Sequence, residues 1–261
     1  MLRIGNASAF ACMLAAMITF SSTSVQSVDG EELDPQQQKW IDKYQTQKNA
    51  PKPSEQKVNE DSEPELTEGF TSLFNGTDLT GWQPKGGSCT FEVKDGHIVG
   101  TCVPGSDSTY LCTEKDDYSN FIFTCQIKWE VDGNTGVQFR SRSKPSKKAN
   151  SETVFGPQFE MEGLGKPGRN WSGGIYGQSC GGYFYPLWLK KHVAARKAEK
   201  TEGWNRLTMT AEGNVIKTWL NGVPVAHWID NGSYSEGFFG LQVHKGEAGT
   251  IHFKDIRVKE M

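Results

Sequence analysis

The sequence has little excess charge of either sign. Lysine and arginine total 28 and aspartate and glutamate total 31, which leaves a formal net charge of −3. Nucleic acids and other strongly anionic partners are bound through clustered positive charge, which this balance does not supply. We therefore expect neither class of partner.

Long apolar runs are also lacking, apart from one at the N-terminus. Residues 7–20 are apolar, follow Arg3 and precede small residues at 21–27, a pattern typical of an export signal. The run is too short to span a bilayer comfortably, and no later segment is long and apolar enough to do so. The sequence predicts a signal peptide over residues 1–27 and a secreted or periplasmic protein without a membrane span.

Cysteine is scarce, and its number is odd in the mature chain. Of the 6 cysteines, Cys12 would be removed with the signal, so at least one of the others is unpaired in the monomer. Asp95-Gly96 predicts a two-residue hairpin turn, and counting outward from it places Cys89 opposite Cys102. An exported protein permits a disulfide there. Two buried free thiols are the alternative, since a one-residue bulge would separate the pair.

Helical periodicity is almost absent from most of the chain. Residues 70–259 show short alternating segments divided by turns such as 213–214 and 221–222, with one helical candidate at 187–200. The abundance of glycine (29), phenylalanine (14), tryptophan (8) and tyrosine (7) suits many short strands joined by tight turns. The sequence predicts an all-β fold over residues 67–261, an antiparallel two-sheet sandwich or jelly roll.

Residues 28–66 have a different composition. They are polar, with Pro35 beginning one short helix that runs to about Lys48 and Pro51 breaking it. Residues 50–65 offer almost nothing to bury. We predict a flexible linker with one weak helix, outside the sandwich.

Three predicted strands carry polar groups on the face opposite their apolar residues. In residues 156–163, Phe159 and Met161 alternate with polar positions, the period of two that a half-buried strand requires. Residues 136–142 and 239–244 show the same alternation. The polar positions are Gln138, Arg140, Arg142, Gln158, Glu160, Glu162, Gln242 and His244. Amides, carboxylates, arginine and histidine on one sheet face suit a sugar-binding floor, although a solvated surface would explain any one strand alone.

Several short segments occur in a specific order and spacing. They are residues 69–82 (GFTSLFNGTDLTGW), 134–140 (NTGVQFR), 172–177 (SGGIYG), 204–205 (WN), 219–222 (WLNG) and 240–244 (GLQVH) ahead of 251–256. Together they resemble the 3-keto-disaccharide hydrolase family over residues 67–261. The resemblance implies a concanavalin-like jelly roll, related in fold to the laminarinase and lichenase glycosidases, with a concave sheet as the site. It also implies activity on glycosides oxidised to a ketone at C3.

That activity would use acid–base chemistry rather than direct displacement. A ketone at C3 acidifies the proton on C2, so a base can remove it and expel the C1 substituent, with water adding later. We predict Glu160 as the base, Arg140 as the group that holds an enolate oxygen or a sugar hydroxyl, and His244 as the proton donor to the leaving group. The related glycosidases read Glu-x-Asp-x-Glu where this sequence has Gln158-x-Glu160-x-Glu162. Because glutamine cannot act as the nucleophile, a retaining displacement is disfavoured.

Neutral amides and phenols both donate and accept hydrogen bonds, as recognition of sugar hydroxyls requires. The predicted substrate-binding residues are Gln138, Gln158, Glu162, Tyr176 and Gln242. Aromatic residues of the glycine-rich loop, Tyr183, Tyr185 and Trp188, would either form a stacking wall for sugar rings or bury the loop itself.

The same residues and fold also suit two other roles. Glu160, Glu162 and His244 would also suit a divalent cation, although no metal motif of fixed spacing is present and no cofactor is certain. The same jelly roll would also serve a non-catalytic carbohydrate-binding or adhesive module, since fold does not fix function. Convergence of Glu160, His244 and Arg140 in one pocket would favour the enzyme of 3-keto-glycosides.

Overall fold

The computed structural model describes residues 32–147 and 151–261. The predicted signal peptide, residues 1–27, lies outside this part of the chain. Within the described residues, no helix has the length and apolar character needed to cross a membrane.

Strands of the described residues form two antiparallel sheets, which confirms the predicted all-β sandwich. The nine-stranded sheet has the order β1-β14-β13-β12-β7-β16-β5-β4, with β2 paired to β16. Its strands are β1 (Lys57–Val58), β2 (Thr71–Ser72), β4 (Thr90–Lys94), β5 (His97–Thr101), β7 (Phe121–Val131), β12 (Asn205–Glu212), β13 (Val215–Leu220), β14 (Val223–Ile229) and β16 (Thr250–Glu260).

The seven-stranded sheet has the order β11-β10-β9-β8-β15-β6-β3. Its strands are β3 (Trp82–Gly86), β6 (Thr109–Thr113), β8 (Thr135–Pro145), β9 (Glu152–Met161), β10 (Ile175–Gln178), β11 (Gly182–Tyr185) and β15 (Phe238–Val243). Short 3-10 turns replace the helix expected at 187–200, and they span Lys190–Val193 and Ala195–Lys197.

The core lies between the two sheets and is largely aromatic. Phe121 and Phe123 of β7 pack their rings 4.8 and 4.5 Å from the ring of Phe239 on β15. All three side chains are fully buried, because the alternation along β7 and β15 sends every second residue inward. The face of the seven-stranded sheet that points away from this core carries the polar side chains.

The segment predicted to be a flexible linker packs on the sandwich instead. We call residues 32–65 the N-terminal arm. A 3-10 turn at Pro35–Gln37 leads into α1 (Gln38–Tyr44), whose Ile41 and Tyr44 side chains are buried, and β1 adds an edge strand to β14. A second 3-10 turn spans Pro53–Glu55. The arm packs on the sandwich mainly through polar side chains. The prediction of a flexible linker was wrong because it took a low apolar content to mean that the segment does not pack.

The β4–β5 hairpin has the register that its turn predicts. Lys94 pairs with His97 and Thr90 with Thr101, so Cys89 and Cys102 follow as the next opposing positions. The two thiols are near enough to shift each other's pKa, and the five described cysteines are free thiols in this structure. The predicted neighbourhood of Cys89 and Cys102 is therefore correct.

Candidate active site

A cleft of about 870 Å³ lies over the outward face of the seven-stranded sheet. This volume is in the range of pockets that bind small molecules. Six of the predicted site residues line it, namely Gln158, Glu160, Glu162, Tyr176, Gln242 and His244. The alternation read from the sequence thus brings most of the candidate residues into one cavity.

Strand register explains why the amides of this floor contact one another. Gln158 on β9 pairs with Gln138 on β8 and with Tyr176 on β10. The Gln158 amide donates from Nε2 to Glu160 Oε2 at 2.7 Å and to Gln242 Oε1 at 3.2 Å. Gly136 lies opposite Glu160, and a Cβ atom there would come within 2.7 Å of Gln158 Nε2. Glycine at this position leaves the space that the amide network occupies.

Glu160 is a buried carboxylate held by two amides. Its side chain is in a residue only 5% exposed. Asn134 Nδ2 donates to Oε1 at 2.7 Å, and Gln158 Nε2 donates to Oε2. Burial raises the pKa of Glu160, while the amide of Asn134 and the charge of Arg169 oppose that rise. Glu160 is therefore an oriented and unusually basic carboxylate.

Glu162 is the second carboxylate of the cleft and has a different environment. Its Oε1 accepts hydrogen bonds from Arg169 Nε at 2.6 Å and from the Tyr183 hydroxyl at 3.1 Å. Its Oε2 has no hydrogen-bond partner among the described residues. Burial raises the pKa of Glu162 to about 7, with Arg169 lowering it and Glu160 adding to the rise. Both protonation states of Glu162 are thus accessible near neutral pH.

The raised pKa of Glu162 predicts a stability that depends on pH. Because the folded pKa lies above the ordinary value of 4.5, the native state binds the extra proton and stability is greatest below the unfolded pKa. It declines as pH rises toward and through about 7, by roughly 1–3 kcal/mol for this group. Urea unfolding at pH 5 and pH 8 checks this, with Glu162→Gln as the comparison. If the unfolding free energy of Glu162→Gln differed between pH 5 and pH 8 by as much as that of the parent, Glu162 would not be the source of the pH dependence.

Sequence reasoning missed Arg169, which lies in the loop after β9. The residue is only 4% exposed, and its guanidinium lies 5.4 to 5.6 Å from the ring centroids of four aromatic residues. These are Trp40, Tyr44, Trp171 and Tyr183. A loop has no periodicity that assigns its side chains to a face, so its position beside the carboxylate strand was the only signal. Asn134, a turn residue, escaped notice for the same reason.

The remaining candidates occupy the edge of the cleft or the layer beneath it. His244 follows β15, and its Nδ1 lies 2.6 Å from the Lys245 carbonyl oxygen. Burial lowers the pKa of His244, so its imidazole is mainly neutral at pH 7. Gln138 does not line the cleft, but its Nε2 donates to Gln158 and holds that amide in place.

The aromatic loop only partly fits the stacking wall that the sequence suggested. Tyr183 lines the cleft, where its ring lies 5.1 Å from that of Tyr176. Tyr185 and Trp188 are instead buried in the core. One of the three aromatic residues therefore lines the site and two are buried in the core, and Tyr183 and Tyr185 lie on β11 rather than in the predicted loop.

Arg140 is not part of the cleft, which corrects its predicted place on the outward face. The β8–β9 ladder shifts register between Gln138 and Arg142, and Arg140 itself has φ 45°. Such a bulge interrupts the alternation on which the prediction depended. The guanidinium, in a residue 1% exposed, donates to the backbone carbonyls of Ser119 at 2.7 Å and Gly213 at 2.8 Å. Arg140 thus stabilises neighbouring loops.

No group of three or more His, Cys, Asp and Glu side chains among residues 32–147 and 151–261 is placed to hold a metal ion. Glu160, Glu162 and His244 therefore do not form a three-ligand cluster. The acid–base groups of the cleft are arranged around amides and Arg169 instead.

Fold and cleft together define a jelly-roll sandwich with a polar cleft over one sheet. The chain belongs to the 3-keto-alpha-glucoside-1,2-lyase-like domain family, which it matches over residues 69–259. This confirms the resemblance carried by its motifs. No curated protein matches the chain.

Solved structures share the fold at low sequence identity. One is a glycosyl hydrolase candidate from Parabacteroides distasonis, 21% identical, covering 77% of this chain and 100% of its own, with a TM-score of 0.53. Another is a protein of unknown function with a galectin-like fold from Bacillus subtilis, 12% identical, covering 77% and 98%, with a TM-score of 0.53. These similarities support the sandwich architecture.

Proposed function

We propose that this protein cleaves the C1–oxygen bond of 3-keto-glycosides by removing the proton on C2, with Glu160 as the base. The observation that carries the proposal is the environment of Glu160. It is a buried carboxylate with one amide donor on each oxygen, at the floor of a polar cleft. Membership of the 3-keto-alpha-glucoside-1,2-lyase-like family supports the substrate class.

The chemistry needs one base and one proton donor. Glu160 takes the C2 proton, and the electron pair of that C–H bond is delocalised onto the C3 ketone as an enolate. Collapse of the enolate forms a C1–C2 double bond and expels the C1 oxygen with its substituent, which takes up a proton. Water adding across the double bond then gives the free 3-keto sugar. A carboxylate and neighbouring proton donors can carry out the proton transfers of this sequence.

Other cleft residues fit the supporting roles. Glu162, with a pKa of about 7, is protonated in part at neutral pH and can supply a proton. His244, the donor predicted from the sequence, lies at the edge of the cleft, but its lowered pKa leaves it mainly neutral at pH 7, so Glu162 is the better donor to the leaving group. Arg169 takes over the cationic role first assigned to Arg140, because it pairs with Glu162 at 2.6 Å and its charge also lowers the pKa of Glu160; the same charge favours negative charge on a nearby enolate.

A retaining displacement fits this cleft less well. Gln158 occupies the position of the nucleophile in the related glycosidases, and its amide is bonded to Gln138, Glu160 and Gln242. An amide in that network has neither the charge nor the freedom to attack C1. The geometry therefore favours elimination followed by hydration.

A matched set of substrates tests the proposal. Purified protein is incubated with glucosides that differ only in oxidation at C3, and the released aglycone is measured for each. We expect release from the 3-keto compounds and none from their unoxidised parents. Binding of these sugars without release would indicate a carbohydrate-binding module and would contradict the proposal.

We also propose export of the protein, because residues 7–20 form an apolar run after Arg3. N-terminal sequencing of protein recovered from the cell exterior or periplasm tests it. We expect a mature chain that begins near residue 28. Recovery of the full chain from the cytoplasm alone would contradict export.

A further inference from the structure

The N-terminal arm lies outside residues 69–259, the part of the chain that matches the family. It nevertheless supplies one wall of the cleft, through Lys43, Tyr44 and Gln47. A segment that served only as a linker would not need a fixed position in the wall of the cleft. The contacts between arm and sandwich show how firmly it is placed.

Buried tryptophans of the sandwich depend on the arm for their hydrogen bonds. Each of three indole N–H groups donates to an arm acceptor. The pairs are Trp171 to Gln37 Oε1 at 2.8 Å, Trp188 to Gln56 Oε1 at 2.6 Å and Trp219 to the Asp61 carbonyl at 2.9 Å. All three indoles belong to side chains that are almost fully buried. Without the docked arm these donors would lose their partners, which is costly inside a protein.

The sandwich is also shaped to receive the residues that follow the arm helix, which ends at Tyr44. Gly182 has φ 114°, and a Cβ atom there would lie 1.7 Å from Gln47 Oε1. The neighbouring Asn49 donates a hydrogen bond to the Cys180 carbonyl. Only glycine allows so close an approach at this position. The turn between β10 and β11 thus fits this segment of the chain.

Tyr44 connects the arm to the chemistry of the cleft. Its hydroxyl accepts a hydrogen bond from Arg169 Nη1, and Arg169 Nε in turn donates to Glu162. Its ring lies 5.3 Å from that of Trp171 and 5.2 Å from that of Tyr183. The guanidinium is planar and its donors have fixed directions. Partners on both Nε and Nη1 therefore fix its orientation against Glu162.

We infer that Tyr44 is a positioning residue that holds Arg169 against Glu162, so that the N-terminal arm is a working part of the active site. The expected effect of Tyr44 on turnover rests on the proposed function. The coupling between Tyr44 and Glu162 does not rest on it. A looser Arg169 stabilises the ionised form of Glu162 less. Loss of the Tyr44 hydroxyl therefore moves the titration of Glu162 to higher pH. The other titratable groups around Glu162 are Glu160, Tyr183 and Glu199, whose pKa burial also raises to about 7, and Tyr44→Phe leaves all three in place.

Tyr44→Phe in the full chain tests this, because it removes the hydroxyl and keeps the ring. We expect kcat/KM on a 3-keto-glycoside to fall about tenfold, the size of one charged hydrogen bond. We also expect the limb of the pH profile that reports Glu162 to shift to higher pH. The control is Gln56→Met, which removes the acceptor of the Trp188 indole and touches neither Arg169 nor the cleft-lining part of the arm.

The control separates positioning from general loosening of the arm. Gln56→Met should lower stability while the pH profile stays that of the parent. A parental rate and pH profile in Tyr44→Phe would overturn the inference. An equal pH shift in both variants would also overturn it, because the effect would then come from loosening alone.

A second readout does not require turnover. Carboxyl-¹³C glutamate NMR follows the titration of Glu162, with the signal assigned by its loss in Glu162→Gln. A shift in Tyr44→Phe supports the coupling even if the parent cleaves no 3-keto-glycoside, in which case only the proposed function fails. Turnover by the parent with an unshifted Glu162 titration in Tyr44→Phe overturns the inference and leaves the function standing.

Discussion

Replacing Glu160 with glutamine is expected to lower kcat on a 3-keto-glycoside by about 10² to 10⁴, the usual contribution of a general base. The amide has nearly the shape of the carboxylate but cannot accept the C2 proton. Asn134 and Gln158, which now donate to the two carboxylate oxygens, can still pair with the new amide after a local rearrangement. Steady-state kinetics, with circular dichroism to verify folding, measures the effect.

Glu130→Gln is the matched control for that variant. Glu130 lies on β7 in the other sheet, outside the cleft lining, and its carboxylate contacts His252 Nε2 at 2.8 Å, so the same substitution removes a carboxylate without a role in the proposed chemistry. We expect turnover close to that of the parent. Full turnover by Glu160→Gln on every substrate that the parent cleaves would exclude Glu160 as the base, and Glu162 would then be the residue to replace.

Replacing Arg169 with methionine should lower the free energy of unfolding at pH 8 by about 3–5 kcal/mol, the usual cost of breaking a buried ion pair. The substitution removes the cation that faces Glu162 at 2.6 Å. An ionised Glu162 would then be buried without a compensating charge. Urea unfolding at pH 8 and pH 5 measures the loss, which should be smaller at pH 5 because Glu162, with a pKa of about 7, is then protonated.

The double variant Arg169→Met with Glu162→Gln is the control for this prediction. No buried charge of the pair remains in it, so it should be more stable at pH 8 than Arg169→Met alone. A single variant that is as stable as the double one at both pH values would show that the ion pair does not hold this part of the cleft together.

Period-two alternation predicted the part of the site that lies on regular strands. Gln158 and Glu160 of β9 and Gln242 of β15 lie on the predicted face because their ladders are regular at those positions. Arg140 was misplaced because its own strand, β8, contains a bulge between Gln138 and Arg142, and a bulge of this kind leaves no mark in the pattern of apolar and polar residues.

The position of Arg169 and the packing of the N-terminal arm could not be predicted from the pattern of apolar and polar residues. Arg169 lies in a loop, where side-chain direction is set by tertiary contacts rather than by a period. The N-terminal arm docks through amide side chains such as Gln37 and Gln56, which satisfy buried indole N–H groups. The composition of the arm, rich in glutamine and proline, led to the prediction of a flexible linker. Its polar side chains are instead ordered by hydrogen bonds to specific partners.

A substrate with deuterium at C2 reports whether Glu160 removes the C2 proton. A 3-keto-glucoside carrying deuterium at C2 is incubated with the parent protein and with Glu160→Gln, and the products are analysed by NMR and mass spectrometry. We expect the deuterium to slow aglycone release by the parent and to be lost to solvent, with both processes nearly abolished in Glu160→Gln. Release of aglycone at an undiminished rate with the deuterium retained at C2 would contradict removal of the C2 proton by Glu160.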